Sequence, residues 1–183
     1  MVLMALPAAL AACASAEPAY YTLAPVPGTP RRGGARLIEL RRPGLAGYLD
    51  RPEIVRAGSA YQLRVAGTER WGEPFGDLVG RILAENLNSR LPGSSVFTAA
   101  GGISADADAT VEMDIQRFDA DATGQVVLLA QVAVSRGRSR ANATARTVRR
   151  MVTPAGAGTA ELVAAMSRAL GELADEVASL LRR

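Results

Sequence analysis

Apolar residues recur at helical spacing in two stretches of the chain. Phe75, Leu78, Val79, Ile82, Leu83, Leu87 and Leu91 fall on one broad stripe and predict a helix over residues 74–91. Pro74 suits the first helical position, where a missing N–H is no loss, and Asp77 in the first turn favours the helix dipole. Pro92-Gly93 ends the run. A second stripe of Leu162, Val163, Met166, Leu170, Leu173, Val177 and Leu181 predicts a final helix. It follows a loop with Gly156 and Gly158, and Thr159 is its candidate N-cap. Between the stripes the period drops to two. Val111, Met113 and Ile115 alternate with Glu112, Asp114 and Gln116, which predicts a strand over residues 110–118. A turn at Asp121-Ala122-Thr123-Gly124 leads to a strand over 125–135, and Arg136-Gly137-Arg138-Ser139-Arg140 turns into a third strand over 141–151. The expected product is an antiparallel meander with one solvated face.

The first third of the chain reads as shorter pieces. Residues 36–40, 60–65 and 95–98 are strand candidates, the second setting Tyr61, Leu63 and Val65 against Gln62 and Arg64. Residues 47–55 should be extended or turned, because Pro52 excludes Arg51 from the helical region. Residues 14–34 hold Pro18, Pro25, Pro27, Pro30, Gly28, Gly33 and Gly34, a tether-like composition interrupted by the strand-forming Tyr20-Tyr21-Thr22-Leu23. If residues 20–23 pair with a sheet, the free tether is only 14–19 and spans at most about 20 Å. The sum is an α+β fold: one domain over residues 35–183, with two amphipathic helices packed on a mostly antiparallel sheet.

Residues 1–12 are apolar and run through Leu10-Ala11-Ala12 into Cys13, the only cysteine. The run reads as a lipoprotein signal peptide whose small residues admit a peptidase and whose thiol accepts the lipid. Residues 13–34 are then the lipidated N-terminus and tether, and two or more acyl chains hold a protein on a membrane where one exchanges. The alternative is an apolar segment with Cys13 as an ordinary buried thiol. The run is too short for a membrane span.

Composition removes several classes. There is no histidine, which takes away the usual zinc sites and the Ser-His-Asp and Cys-His nucleophile systems. The charge is +3 with signs mixed along the chain and only 4% aromatics, unlike a nucleic-acid binder. Asp106 and Asp108, or Asp119 and Asp121, lack the calcium-loop pattern and read as turns. Glu69 and Glu73 flank Trp71, but nothing near them completes an acid/base site. We expect no catalytic residue, no metal and no cofactor.

Several motifs together resemble a known family. Tyr20-Tyr21-Thr22-Leu23 after the lipobox, Tyr48-Leu49-Asp50-Arg51-Pro52-Glu53-Ile54-Val55, Trp71-Gly72-Glu73-Pro74 leading into Ile82-Leu83-Ala84-Glu85-Asn86-Leu87, and Val152-Thr153-Pro154-Ala155-Gly156 are similar to segments of the PqiC-like auxiliary lipoproteins of ABC-type and MCE-type transport systems. Glu53 stands where such proteins often carry Gln. The resemblance implies an outer-membrane lipoprotein facing the periplasm. Its expected partners are an MCE-domain periplasmic subunit, inner-membrane permease and ABC subunits, outer-membrane lipid through acylated Cys13, and other copies of itself. Ala14 after Cys13, rather than Asp, goes with the outer membrane in such lipoproteins.

The motif residues keep two readings each. Tyr48, Leu49, Asp50, Arg51 and Pro52 are either a turn with Asp50 capping local N–H groups or a docking segment for a partner. Trp71, with Glu73 and Pro74, is a core anchor or an interface anchor. Arg136, Arg138 and Arg140 are candidate contacts for anionic headgroups, or a solvated hairpin tip. The functional expectation is a membrane-anchored, non-enzymatic accessory subunit of a lipid transport system. Its alternatives are a free-standing lipoprotein binding anionic lipid or polysaccharide through an Arg-rich face, and an envelope hydrolase using carboxylates.

Overall fold

The computed structural model describes residues 17–99, 101–102, 105–137 and 143–182. Its organising element is β7 (Ala109–Ala120). One edge of β7 pairs antiparallel with β8 (Val126–Arg136) along its whole length, and β8 pairs antiparallel with β9 (Thr144–Val152), so the expected meander forms. The other edge of β7 serves three segments in succession, all parallel to it. β2 (Leu37–Leu40) pairs at its start, β3 (Gly44–Leu45) beside Asp114 and Ile115, and β4 (Glu53–Ser59) at the single position Arg56↔Ala120. β6 (Ser95–Thr98) adds to β2, β5 (Gln62–Trp71) adds antiparallel to β4, and β1 (Ala19–Tyr21) lies parallel on the far end of β5. The long ladders are antiparallel and the short ones parallel, within the α+β class expected from the pattern.

Helices α1 (Phe75–Arg90) and α2 (Thr159–Leu180) pack on each other and on one face of the sheet, α2 against β8 and β9 and α1 against β6. Every residue of both predicted stripes is buried, because the apolar faces meet the odd positions Val111, Met113 and Ile115 of β7. A bulge between Ile115 and Arg117 inserts one residue into β7. Beyond it the parity inverts: Phe118 joins the core against the Phe75 ring, and Asp119 is carried to the opposite face. No helix among the described residues is long and apolar enough to cross a membrane.

Four local expectations need correction. Pro74 is the N-cap of α1 and not its first helical residue, and its carbonyl accepts the Leu78 N–H at 3.0 Å. Gly158 caps α2 in place of Thr159, whose hydroxyl is engaged instead by Glu69 and Arg56 across the sheet. Residues 53–59 form a full strand, and β5 extends well past the expected 60–65 to Trp71. The 60–65 strand candidate also starts later than expected: Ala60 and Tyr61 form the turn, and Tyr61, Leu63 and Val65 are exposed where the β4–β5 hairpin runs past the end of β7.

The tether-like composition also gave way to order. Past β1, Leu23 is buried, the Ala24 N–H donates to Ser167 Oγ at 3.1 Å, and the Val26 N–H donates to Asn86 Oδ1 at 2.7 Å. The Arg31 N–H reaches the Arg90 carbonyl at 2.7 Å. Residues 22–31 are a strap laid along the two helices, and prolines suit it because the strap makes its hydrogen bonds at a few fixed points and not in a continuous ladder.

Candidate functional site

Three of the sequence motifs converge on Trp71. Its N–H donates to the Pro52 carbonyl at 2.7 Å, and the next amide, Gly72, donates to the Tyr21 carbonyl at 2.9 Å. The indole is buried and stacks on Phe75 with ring centres 4.7 Å apart, and Phe75 leans on Phe118 at 5.7 Å. Trp71 is therefore an anchor within the fold, and what it fixes is the segment before Pro52. Glu73 is held by Arg81, which also bonds Glu85, and Pro74 starts α1.

The Tyr48-to-Pro52 segment is held at both ends. Leu49 is buried, its N–H donates to the Ala46 carbonyl at 2.8 Å, and the Arg51 N–H donates to the Leu49 carbonyl at 2.9 Å. The turn is closed by backbone, and among the described residues the Asp50 carboxylate accepts no hydrogen bond; it does not act as a cap. Asp50, Arg51 and Pro52 project as an exposed tripeptide.

The Tyr48 hydroxyl donates to Asp119 Oδ2 at 2.7 Å, while Arg117 Nε donates to Asp119 Oδ1 at 2.8 Å. Asp119 is only 2% exposed, so its charge is balanced where water does not reach. Burial, and then the Asp119 bond, push the Tyr48 phenol well above its ordinary range. The triad bolts the loop to the sheet. It closes the floor of an open groove of about 630 Å³ whose walls include Ala57, Tyr61 and Leu63 of the hairpin. Within the groove the Asp119 carboxylate is paired and the Tyr48 phenol keeps its proton, while Asp121, also in the lining, accepts the Thr123 and Gln125 N–H groups. Asp119 read as a turn residue in the sequence; the bulge that re-aims it has no residue signature of its own.

The arginine-rich region is more occupied than its composition suggests. Arg136 donates to the Leu181 carbonyl at 2.7 Å at the end of α2, where a cation complements the helix dipole. Arg146 and Arg150 on β9 pair with Glu176, and Arg150 also with Glu172. Arg138, Arg140 and Cys13 lie outside the described residues. Among those residues no group of three potential metal ligands occurs.

Sequence reasoning missed a buried charge cluster. Arg90 is 2% exposed and spends all five donors: Nε and Nη2 on Asp175 at 2.8 and 3.2 Å, Nη1 on the Val26 and Asn86 carbonyls at 2.8 and 3.1 Å, and Nη2 also on the Gly171 carbonyl at 2.9 Å. It joins strap, α1 and α2 at one point. A Cβ on Gly28 would lie 2.3 Å from the guanidinium carbon, so glycine is what admits the strap this close.

The sheet thus carries two helices on one face, a strap over them and a braced loop that presents Asp50, Arg51 and Pro52. The sequence matches the family of ABC-type transport auxiliary lipoprotein components over residues 21–178, and the chain belongs to that family. It is thus a PqiC-like auxiliary component of ABC-type transport. A crystal structure of an uncharacterized protein superposes with a TM-score of 0.75 at 20% identity, covering 90% of this chain and 98% of that one. A DUF330 protein from Xanthomonas campestris superposes with a TM-score of 0.69 at 18% identity, covering 90% and 96%. At these identities the two structures speak for the fold alone. No curated protein matches the sequence.

Proposed function

We propose that the protein is a non-catalytic accessory lipoprotein of an ABC/MCE-type lipid transport system, anchored in the outer membrane by acylated Cys13. It docks on the MCE-domain periplasmic subunit through the exposed Asp50-Arg51-Pro52 tripeptide. The observation that carries this reading is the rigid mounting of those three residues. Pro52 is bonded to the Trp71 backbone and Tyr48 to buried Asp119, so little ordering remains for binding to impose. The groove's two carboxylates are both engaged, Asp119 by Tyr48 and Arg117 and Asp121 by Thr123 and Gln125, which supports a docking role over a hydrolytic one. Pairing of Arg136, Arg146 and Arg150 within the fold counts against an open cationic sheet that binds polymer.

The test is co-purification of wild type and Cys13→Ala from native membranes, with mass spectrometry of the N-terminal peptide and of the bound proteins. Acylated Cys13 together with an MCE-domain protein is the expected result. An unmodified N-terminus with no transporter subunit overturns the proposal.

A further inference from the structure

The β4–β5 hairpin ends in a patch that the fold leaves uncovered. Tyr61 is fully exposed, and Leu63 and Val65 on the same face of β5 are 47% and 45% exposed. The strand pairing explains why: β4 leaves β7 at Arg56, β1 covers the outer edge of β5 at residues 69–71, and among the described residues no strand pairs with residues 62–68 on that edge. Over residues 57–68 the chain carries one charge, Arg64, and no carboxylate. An aromatic residue with a polar tip, two aliphatic side chains and a single long cation are the groups that settle at a membrane interface, where the ring sits at headgroup level and the cation snorkels.

The path of the N-terminus brings a membrane to this end of the molecule. β1 runs parallel to β5, with Ala19 opposite Glu69, so the chain upstream of Ala19 enters from the side of the hairpin tip. From Glu69 back to Gln62 the strand spans about 23 Å. The six residue steps from Cys13 to Ala19 span at most about 20 Å. A lipid on Cys13 therefore holds the bilayer surface within about 20 Å of Ala19, a distance comparable with the length of β5 from Glu69 to its tip.

We infer that the tip of the β4–β5 hairpin, with Tyr61, Leu63 and Val65, is a second membrane contact that inserts into the headgroup region and fixes the orientation of the domain on its bilayer. The inference rests on the reading of Cys13 as the lipid anchor. An acyl chain alone leaves the domain free to swivel; a second contact some way from it does not. The Asp50-Arg51-Pro52 turn is then presented in a set direction and not at random.

The experiment uses the full acylated chain reconstituted in vesicles of phosphatidylethanolamine and phosphatidylglycerol, some carrying brominated acyl chains. Tyr61→Trp reports at the tip, and Ala105→Trp reports at the opposite end of β7, each in a Trp71→Phe background. The expected result is strong quenching of the first and none of the second. Equal quenching, or none at the tip while the acylated chain floats with the vesicles, overturns the inference and leaves the anchor standing. In parallel, Cys13→Ser protein is titrated with the same vesicles. It should bind weakly, and Tyr61→Ser/Leu63→Ser/Val65→Ser should bind at least tenfold more weakly with an unchanged circular dichroism spectrum. This arm reads the hairpin without the lipid, so a failure of acylation is told apart from a failure of the tip. A Tyr61→Trp emission that is already blue-shifted without vesicles, and that tracks protein concentration, assigns the patch to a second copy of the chain and overturns the membrane contact.

Discussion

The Trp71 amide hydrogen bonds to the Pro52 carbonyl across 2.7 Å, and this one bond ties the exposed turn to the aromatic stack at the centre of the domain. Trp71→Ala removes a buried ring that lies on Phe75, and truncations of that kind cost about 3–5 kcal/mol. Trp71→Phe keeps an aromatic partner and should cost clearly less. Urea unfolding followed by circular dichroism should show the alanine midpoint falling with an unchanged slope, and the turn residues 49–52 gaining amide exchange ahead of the helices.

Arg90 is the second anchor, and the strap should reveal its loss. Arg90→Ala leaves the Val26 and Gly171 carbonyls without their donor and leaves Asp175 with Arg31 alone, and each carbonyl left unpaired costs about 1–3 kcal/mol. Asp175 is more exposed than Arg90, so Asp175→Asn should cost less. Gly28→Ala should resemble a mild version of Arg90→Ala, since the added methyl must displace the guanidinium. Hydrogen exchange checks all three: the Ala24, Val26 and Arg31 amides should lose protection first.

Tyr48 supplies a pH signature. Its folded pKa lies above the ordinary 10.0, so the folded state holds the proton more tightly than the unfolded chain. The associated stability is complete below pH 10.0 and is lost as the pH rises above it. Tyr48→Phe should remove this alkaline component. At neutral pH it should cost about 1–3 kcal/mol, because buried Asp119 loses one of its donors. Denaturant midpoints at pH 8, 10 and 11 for both proteins decide the matter.

Docking predicts a separation between binding and stability. Asp50→Arg and Arg51→Glu alter exposed side chains away from the core, so unfolding free energies should stay within about 0.5 kcal/mol of wild type. Capture of the MCE-domain partner should nonetheless fall at least tenfold. A loss of capture that merely follows a loss of stability would place the docking surface elsewhere.

The helices and the meander were legible because their burial is one-sided, and a one-sided element prints its period in the sequence. Both apolar stripes land in the core residue for residue. The β4–β5 hairpin was harder. Half of it is solvated on both faces, so Tyr61, Leu63 and Val65 imitate a buried alternation that tertiary structure does not supply. The strap hid behind its prolines, since its order comes from Asn86, Arg90 and Ser167, far away in sequence. Asp119 was unreadable for a related reason: one inserted residue at the bulge reverses which side of β7 it occupies. The docking candidates were found as motifs, yet only coordinates separate Trp71, which is enclosed, from Asp50 and Arg51, which are not.

The central claim is that an anchored domain presents the Asp50-Arg51-Pro52 turn to a transport partner. The most direct measurement is in-cell photocrosslinking from Arg51, with Ala105 at the far end of β7 as the reference position, followed by mass spectrometry of the adducts. An adduct between Arg51 and an MCE-domain subunit is expected, one that disappears with Asp50→Arg and is absent from Ala105. Adducts from Ala105 alone, or none to any transporter subunit from a membrane-bound chain, would contradict it.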